Sequence, residues 1–188
     1  MRSRRSVLPF LWFLLLCLAV FVGGCAGLQR ERPFAESDPT VILGEGVVLQ
    51  KSRNIYVART QVGEQYAKAA AAFGKGLEEI CREALVPYAS ALTVGHLPET
   101  RIPALASARK AGARYLVIPS LYSAEILTYE QAPEARMAYF LSVFDAESGT
   151  HLSMRYKRVS ADIPEAENAL RQSMVADFAA LFAATQGR

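Results

Sequence analysis

Short apolar runs near the start of the region 41–188 predict β-strands. The runs lie at Val41–Leu43, Val47–Gln50 and Asn54–Ala58. Gly44 and Gly46 separate the first two runs, and glycines inside an extended pattern favour several short strands over one long strand. A further short strand is predicted at Ser90–Val94.

Three segments have the helical spacing of apolar residues and predict α-helices. Gln65–Leu85 is the first, and Thr100–Ala111 is the second, ending at Gly112, a residue that favours a left-handed helix end. The third follows Asp162, which can cap its start. Its apolar stripe consists of Leu170, Met174, Phe178 and Leu181. We expect this stripe to pack against the core of a domain.

The middle of the chain predicts a buried strand followed by a hairpin. Tyr115–Ile118 is a continuous β-rich run after a helix, which indicates a strand covered on both faces. Pro119 cannot donate a backbone hydrogen bond, so we expect Leu121–Leu127 to continue after a kink or to lie at a sheet edge. Met137–Phe144 and His151–Ser160 flank the sequence DAESGT, whose Ser-Gly pair predicts a hairpin turn.

The second strand of this hairpin alternates between two kinds of side chain. The set expected to pack is Leu152, Met154 and Tyr156. The set expected to meet water is Ser153, Arg155 and Lys157. Alternation of this kind is typical of a strand with one buried and one solvated face.

Arg155, Lys157 and Arg158 form the basic group that we select as the candidate partner surface. Arg155 and Lys157 are expected to project from the same side of their strand. Phosphate headgroups, an anionic glycan or an acidic protein would suit this group, and the alternative is solvated charges that protect a sheet edge. The aromatic-rich segment Tyr122–Tyr129 is a second candidate recognition edge, although burial under a helix is the expected fate of its rings.

These elements predict a single α/β (α+β) domain over residues 41–188. The expected architecture is one mixed sheet of about five strands with three helices, in the order β-α-β-α-β-β-β-α. A chain of this length can bury a core without disulfides or metals. Cys81 falls on the core face of the first predicted helix and is expected to be a buried structural thiol.

The first residues have the pattern of an export signal, a basic start followed by an apolar run. Three arginines within the first five residues precede the apolar run Val7–Val22, which is shorter than the roughly twenty residues of a membrane-spanning helix. The sequence Val22-Gly23-Gly24-Cys25 then closely resembles the lipobox of bacterial lipoproteins. The alternative is an uncleaved signal anchor that ends in an ordinary cysteine.

The lipobox resemblance implies cleavage after Gly24, a diacylglycerol on Cys25 and, in Gram-negative bacteria, a further acyl chain such as palmitate on the new amino group. Two or three acyl chains hold a protein stably at a membrane. Ala26 follows in place of the aspartate that typically retains such lipoproteins in the inner membrane. The expected location is therefore the outer membrane, with the domain facing the periplasm.

Residues 25–40 are expected to contain the lipidated cysteine and a flexible tether, because Ala26–Thr40 is polar and includes two prolines. Removal of the signal peptide, residues 1–24, takes away three of the 21 basic residues and leaves 18, which equals the number of acidic residues. A general polyanion binder is expected to have a basic excess on one face, so no nucleic-acid partner is predicted.

The sequence ASARKAGARYLVIPSL, residues 106–121, shows a second resemblance. Its Ala-Gly-Ala helix end and the β-rich run that follows look like the helix-to-strand junction of small periplasmic α/β modules. Those modules include the amino-terminal domain of TolB, the curli-secretion lipoprotein and lipoprotein activators of penicillin-binding proteins. A closer similarity, over Val47–Phe182, is to an uncharacterised family of proteobacterial lipoproteins. The resemblance implies a TolB amino-terminal-like fold in the cell envelope and brings no catalytic residues.

The sequence contains no convincing catalytic or metal-binding motif. It has no Gly-x-Ser-x-Gly nucleophile elbow, and His96 and His151 lie on a predicted loop and a strand start, where a surface or structural role is expected. The stretch FGKGLEE resembles a phosphate-binding loop only in Gly74-Lys75, inside a predicted helix. No Cys/His spacing suits a metal. We therefore expect no catalytic residues, no metal and no cofactor.

The predicted function is a lipid-anchored cell-envelope protein whose periplasmic domain is a protein-binding or adaptor module, without enzyme activity. It contacts the membrane through the lipid on Cys25, and its expected partner is an envelope protein. The alternative is a periplasmic enzyme, such as a hydrolase, with an active site assembled from distant residues. A pocket with a histidine and a nucleophile would favour the enzyme, and an exposed apolar edge would favour docking.

Overall fold

A computed structural model describes residues 40–128 and 133–183 of the chain. The predicted signal peptide 1–24, its cleavage after Gly24, the lipidated Cys25 and the tether before Thr40 lie outside the described residues.

Six strands of the described residues form one mixed sheet. Their bounds are β1 Thr40–Leu43, β2 Arg53–Arg59, β3 Ala89–Pro98, β4 Tyr115–Thr128, β5 Pro133–Asp145 and β6 His151–Asp162. The spatial order is β1-β6-β5-β4-β2-β3, so β1 and β3 are the two edges. The strands β3, β2 and β4 run parallel to one another, whereas the pairs β4–β5, β5–β6 and β6–β1 are antiparallel.

Four α-helices lie in the described part of the chain. They are α1 Glu64–Ala71, α2 Leu77–Leu85, α3 Arg101–Lys110 and α4 Ala166–Phe182, and a 3₁₀ turn at Ile163–Glu165 precedes α4. The mixed α/β class is confirmed, but the predicted helix Gln65–Leu85 is two helices. Gly74 has a φ of +73° between them, and this left-handed conformation ends the helical hydrogen-bond pattern.

The strand predictions need two corrections. The run Val47–Gln50 is outside the sheet, because the Leu49 amide donates to the carbonyl oxygen of Leu181 in α4 at 2.8 Å. The observed order of elements is therefore β-β-α-α-β-α-β-β-β-α, with six strands in place of about five. The hairpin of β5 and β6 around the Ser-Gly turn is confirmed.

β4 continues through Pro119 as one strand, and its pairing with β5 is irregular between Leu121 and Ser123. β2 pairs with β4 only from Tyr115 to Val117, so no paired residue of β2 lies opposite the proline nitrogen. On its other side Pro119 lies opposite Leu141 of β5, and its carbonyl oxygen accepts a hydrogen bond of 2.7 Å from the Thr60 hydroxyl. Beyond Val117, β4 has no β2 residue paired on this side and is locally an edge strand. A proline is tolerated there because no partner strand needs its missing amide hydrogen.

Described helices pack on both faces of the sheet, three on one face and one on the other. α1, α2 and α4 pack on the first face around the buried residues Phe73, Ile80, Leu170 and Phe178. Leu152, at an irregularity in the pairing of β5 and β6, packs partly against the same core, as expected. α3 packs on the second face, over β2 and β4. In residues 40–128 and 133–183, none of the helices combines the length and the apolar sequence of a membrane span.

Candidate functional site: the uncovered half of the sheet

The basic group predicted as a partner surface is largely buried. Arg155 and Lys157 project from β6 towards α4, and only 8% and 7% of their surface is exposed. The prediction that this side of β6 meets water is therefore wrong. Met154 and Tyr156 occupy the half-exposed side of the strand, together with Arg158.

Asp177 of α4 explains why two cations are tolerated in the core. It is 1% exposed, and its Oδ1 lies 3.7 Å from Nη1 of Arg155, which also donates to the Asp177 carbonyl oxygen. Tyr139 donates from Oη to Asp177 Oδ2 at 3.2 Å and contacts Ser173 Oγ at 2.9 Å. Burial raises the pKa of Asp177, and the charges of Lys157 and Arg155 oppose that rise. This cluster joins α4 to the sheet and is a structural element.

The second face of β4, β5 and β6 is covered only in part by the described residues. Leu105 and Ala108 of α3 share a core cluster with Leu116 and Ile118 of β4. Beyond this cluster, neighbouring positions of β4, β5 and β6 carry side chains that are half-exposed or exposed. We call this surface the open face, and it consists of Ser120, Tyr122, Phe140, Ser142, Met154, Tyr156 and Arg158.

Three aromatic rings form the centre of the open face. The Tyr122 ring meets the rings of Phe140 and Tyr156 edge to face, with centroids 5.6 Å and 5.8 Å apart. The Phe140 and Tyr156 centroids are 5.1 Å apart. Arg158 places its guanidinium 5.4 Å from the Tyr156 centroid and donates from Nε to the Tyr156 hydroxyl. Edge-to-face packing and the cation hold these rings in fixed positions on a rigid sheet.

Tyr122 is the most exposed large side chain of the open face, with 57% of its surface accessible. The expectation that a helix buries this ring is therefore wrong. The sequence signal for a recognition surface was present in the aromatic segment, but Phe140 and Tyr156 come from two other strands. Their convergence depends on the pairing of β4, β5 and β6, which the local sequence pattern does not specify.

An open groove of about 260 Å³ lies between the open face and the start of α3. Its lining residues are Thr60, Glu99, Thr100, Arg101, Ile118, Ser120, Ser142 and Phe144. Both Glu99 carboxylate oxygens already accept hydrogen bonds, from the Tyr56 hydroxyl at 2.8 Å and from the Ser107 hydroxyl at 2.5 Å. Burial raises the pKa of Tyr56, and the bond to Glu99 adds to the rise. Glu99 therefore fixes α3 against β2.

The two histidines lie on different strands of the sheet. His96 is an exposed residue of β3, and His151 begins β6, with β2, β4 and β5 between the two strands. His151 stacks on Phe144 at a centroid distance of 4.2 Å, and the Arg101 guanidinium lies 5.1 Å from the same Phe144 ring. Burial lowers the pKa of His151, and the charge of Arg101 adds to this. These contacts give His151 a packing role.

No group of His, Cys, Asp or Glu that could hold a metal ion occurs in the described residues. Cys81 is fully buried in α2, and burial raises the pKa of its thiol, with the nearby charge of Glu78 as a smaller cause. A thiol with a raised pKa is a poor nucleophile at neutral pH because the thiolate is the reactive form.

Comparisons with known proteins identify the fold and leave the family open. No protein-family model matches the sequence, and no curated protein matches it. The PelC dodecamer from Paraburkholderia phytofirmans aligns with a TM-score of 0.60 and 15% sequence identity, over 79% of this chain and 99% of that chain. A single-substitution form of that dodecamer gives a TM-score of 0.56 and 12% identity, over 73% of this chain and 95% of that chain.

A lipoprotein from Neisseria meningitidis gives a TM-score of 0.41 at 8% identity, over 68% of this chain and 96% of that chain. That score is too low to indicate the same fold. The similarity to PelC indicates a shared fold only, because the identity is 15%. The resemblance to the TolB amino-terminal module stays a prediction.

Proposed function

We propose that the chain is a lipid-anchored cell-envelope protein whose domain binds a protein partner through the open face, as an adaptor and not as an enzyme. The observation that supports this most directly is the aromatic cluster of the exposed Tyr122 and the half-exposed Phe140 and Tyr156, on a part of the sheet that no described helix covers. Contiguous exposed apolar surface on a folded domain is typical of a binding site.

The composition of the open face suits protein recognition. Tyrosine and arginine are enriched among the residues that dominate binding energy at protein interfaces. Aromatic side chains have few rotatable bonds, so they lose little conformational entropy when they become ordered. The rings of Tyr122, Phe140 and Tyr156 are already held by one another, which lowers that loss further.

The charge around the aromatic cluster indicates the chemistry of the partner. Arg101 lies over Phe144 beside the groove. A partner surface with apolar side chains at its centre and carboxylates on its rim would complement this arrangement. We therefore propose an envelope protein with an acidic rim as the partner.

The lipid anchor supplies the second part of the mechanism. The lipobox around Cys25 predicts acylation, and the tether up to Thr40 would let the domain reach a partner near the same membrane. Confinement of two proteins to one membrane raises their effective concentration, so a weak contact at the open face becomes sufficient. We propose the outer membrane, facing the periplasm, because Ala26 follows the cysteine.

Cross-linking in intact cells tests the role of the open face. We expect the anchored wild-type protein to form one specific adduct with an envelope protein and the Tyr122→Ala variant to lose it. Val175→Ala on the outer side of α4 is the matched control, since Val175 is also exposed, and it should keep the adduct. Equal adducts from both variants would contradict binding at the open face.

We also propose that copies of the domain associate with one another. The support is the fold that this chain shares with PelC, which was solved as a dodecamer. An assembly of identical copies would present several open faces at once, and such repetition strengthens binding without any new contact. The molar mass of the full-length protein in detergent micelles tests this, and the mass of a single chain would contradict it.

A further inference from the structure

Both edges of the sheet lack charged side chains. β1, Thr40–Leu43, and β3, Ala89–Pro98, contain no Lys, Arg, Asp or Glu. Soluble domains normally protect exposed sheet edges with charged residues, because unpaired backbone amide and carbonyl groups pair readily with another strand. Without such charges, the backbone groups of both edges are open to pairing with another strand.

Both edge strands are accessible and expose apolar side chains. In β1, Val41, Ile42 and Leu43 are 36%, 52% and 41% exposed. In β3, Thr93 is exposed and Leu97 is 74% exposed. Among the described residues β1 pairs only with β6, and β3 pairs only with β2, so the outer side of each edge strand has no partner strand.

The strand directions allow one edge to pair with the other. β3 runs parallel to β2 and β4, whereas β1 runs opposite to them, as the alternating directions of β4, β5, β6 and β1 require. A neighbouring copy rotated about an axis along the strands would place its β1 antiparallel to the β3 of the first copy. Antiparallel pairing is the more stable arrangement.

We propose that copies of this chain join edge to edge, with β1 of one copy pairing with β3 of the next. The inference rests on the proposed self-association and specifies its interface. The contact joins two different surfaces, so every copy uses both edges and the chain of copies closes into a ring or extends as a filament. The sheet is continuous from copy to copy, and all open faces lie on the same side of it.

Two sets of substitutions test the two edges independently. Ile42→Asp introduces a charge on β1, and the double variant Thr93→Asp plus Leu97→Asp does so on β3. Aspartate is disfavoured in strands and is costly to bury at an interface. All three positions are exposed, so the fold of the single chain should remain intact. Val175→Asp on α4 is the matched control away from both edges, and Ile42→Lys is a second β1 variant.

The test is the molar mass of each full-length protein in detergent micelles. We expect a multi-chain mass for the wild type and for Val175→Asp, and the mass of one chain for each edge variant. An equimolar mixture of the β1 and β3 variants should give two chains, because one retains a working β3 and the other a working β1. Head-to-tail pairing alone predicts this dimer.

Other outcomes overturn the inference in distinguishable ways. A single-chain mass for the wild type would overturn both self-association and edge pairing. A multi-chain wild type whose β1 or β3 variant keeps the same mass would overturn the edge pairing and leave self-association in place. A mixture that stays at the mass of one chain would also overturn it, since the two intact edges would then fail to pair.

Discussion

Arg155 of β6 and Asp177 of α4 meet inside the core, where Nη1 of the arginine lies 3.7 Å from Oδ1 of the aspartate and donates to the aspartate carbonyl oxygen at 3.3 Å. The pair places a cation and an anion between a helix and a sheet that otherwise contact through apolar side chains. It fixes the position of α4 along β6.

Removal of the aspartate should destabilise the domain strongly. In Asp177→Ala the charges of Arg155 and Lys157 remain buried without their anion, and breaking a buried pair in this way costs about 3 kcal/mol or more. Urea unfolding measures the free energy of unfolding. Glu125→Ala, at an exposed position of β4, is the control and should change it by less than about 0.5 kcal/mol. Similar losses for the two variants would contradict a structural role of the pair.

The buried pair of Arg155 and Asp177 also explains why the predicted solvent-facing side of β6 is wrong. The period of two in β6 agrees with the prediction, but the rule that charges are rarely buried without a partner predicts the wrong face for its charged side chains. The partner of Arg155 is 22 residues away in α4. No local pattern connects the two residues, so only the packing of α4 on the sheet shows which face is covered.

The hairpin turn should be sensitive to acid through Asp145. Its Oδ1 accepts bonds from the amide and hydroxyl of Ser148, and its Oδ2 lies 2.8 Å from Arg114 Nη2. The Ser148 amide contributes most to a lowered pKa of Asp145, and the Arg114 charge adds to it. A lowered pKa in the folded state stabilises the protein above the ordinary carboxyl pKa of about 3.9, and this stabilisation is lost as the pH falls through the folded value.

Comparison of the wild type with Asp145→Asn measures this effect. At neutral pH the variant should lose about 1–2 kcal/mol in the free energy of unfolding, because asparagine lacks the charge that strengthens these bonds. Below about pH 4 the difference should shrink as the wild-type carboxylate becomes protonated. A difference that stays constant with pH would show that the charge of Asp145 is unimportant.

Gly74 and Gly112 should differ in their tolerance of alanine. Both have a positive φ, +73° and +65°, which is unfavourable for alanine by about 1–2 kcal/mol. A Cβ at Gly74 would also displace the Glu167 carboxylate, which pairs with Arg171 at 2.6 Å, whereas a Cβ at Gly112 meets nothing within 4 Å. Thermal unfolding should therefore show a larger loss for Gly74→Ala than for Gly112→Ala, and the reverse order would be inconsistent with the structure.

These two glycines also show what the sequence could specify. Gly112 follows a helical pattern and precedes a β-rich run, so the end of α3 was predictable. Gly74 lies inside a pattern of helical period, where a single glycine is usually tolerated, so the break between α1 and α2 was missed. The sequence indicated only one of the three aromatic residues of the open face, Tyr122. Phe140 and Tyr156 lie on two other strands, and strand pairing brings the three rings together.

The thiol of Cys81 should be chemically protected. It is fully buried in α2, and burial raises its pKa. We expect a small alkylating reagent to label Cys81 slowly in the native protein and rapidly in urea. Cys81→Ala should lower the free energy of unfolding by about 1 kcal/mol, since it removes a small buried group. Rapid labelling of the native protein would contradict the assignment of a structural thiol.

The central claim is that an anchored domain binds its partner through the open face, and photo-cross-linking in living cells tests it most directly. A photoreactive phenylalanine analogue, which keeps an aromatic ring at the position, replaces Tyr122, and in a second protein it replaces Val175 as the control. Each is made with Cys25 intact and with Cys25→Ser. We predict one adduct with an envelope protein, from position 122 of the anchored chain alone. The same adduct from position 175, an undiminished adduct from the Cys25→Ser chain, or no adduct from the anchored chain would contradict the claim.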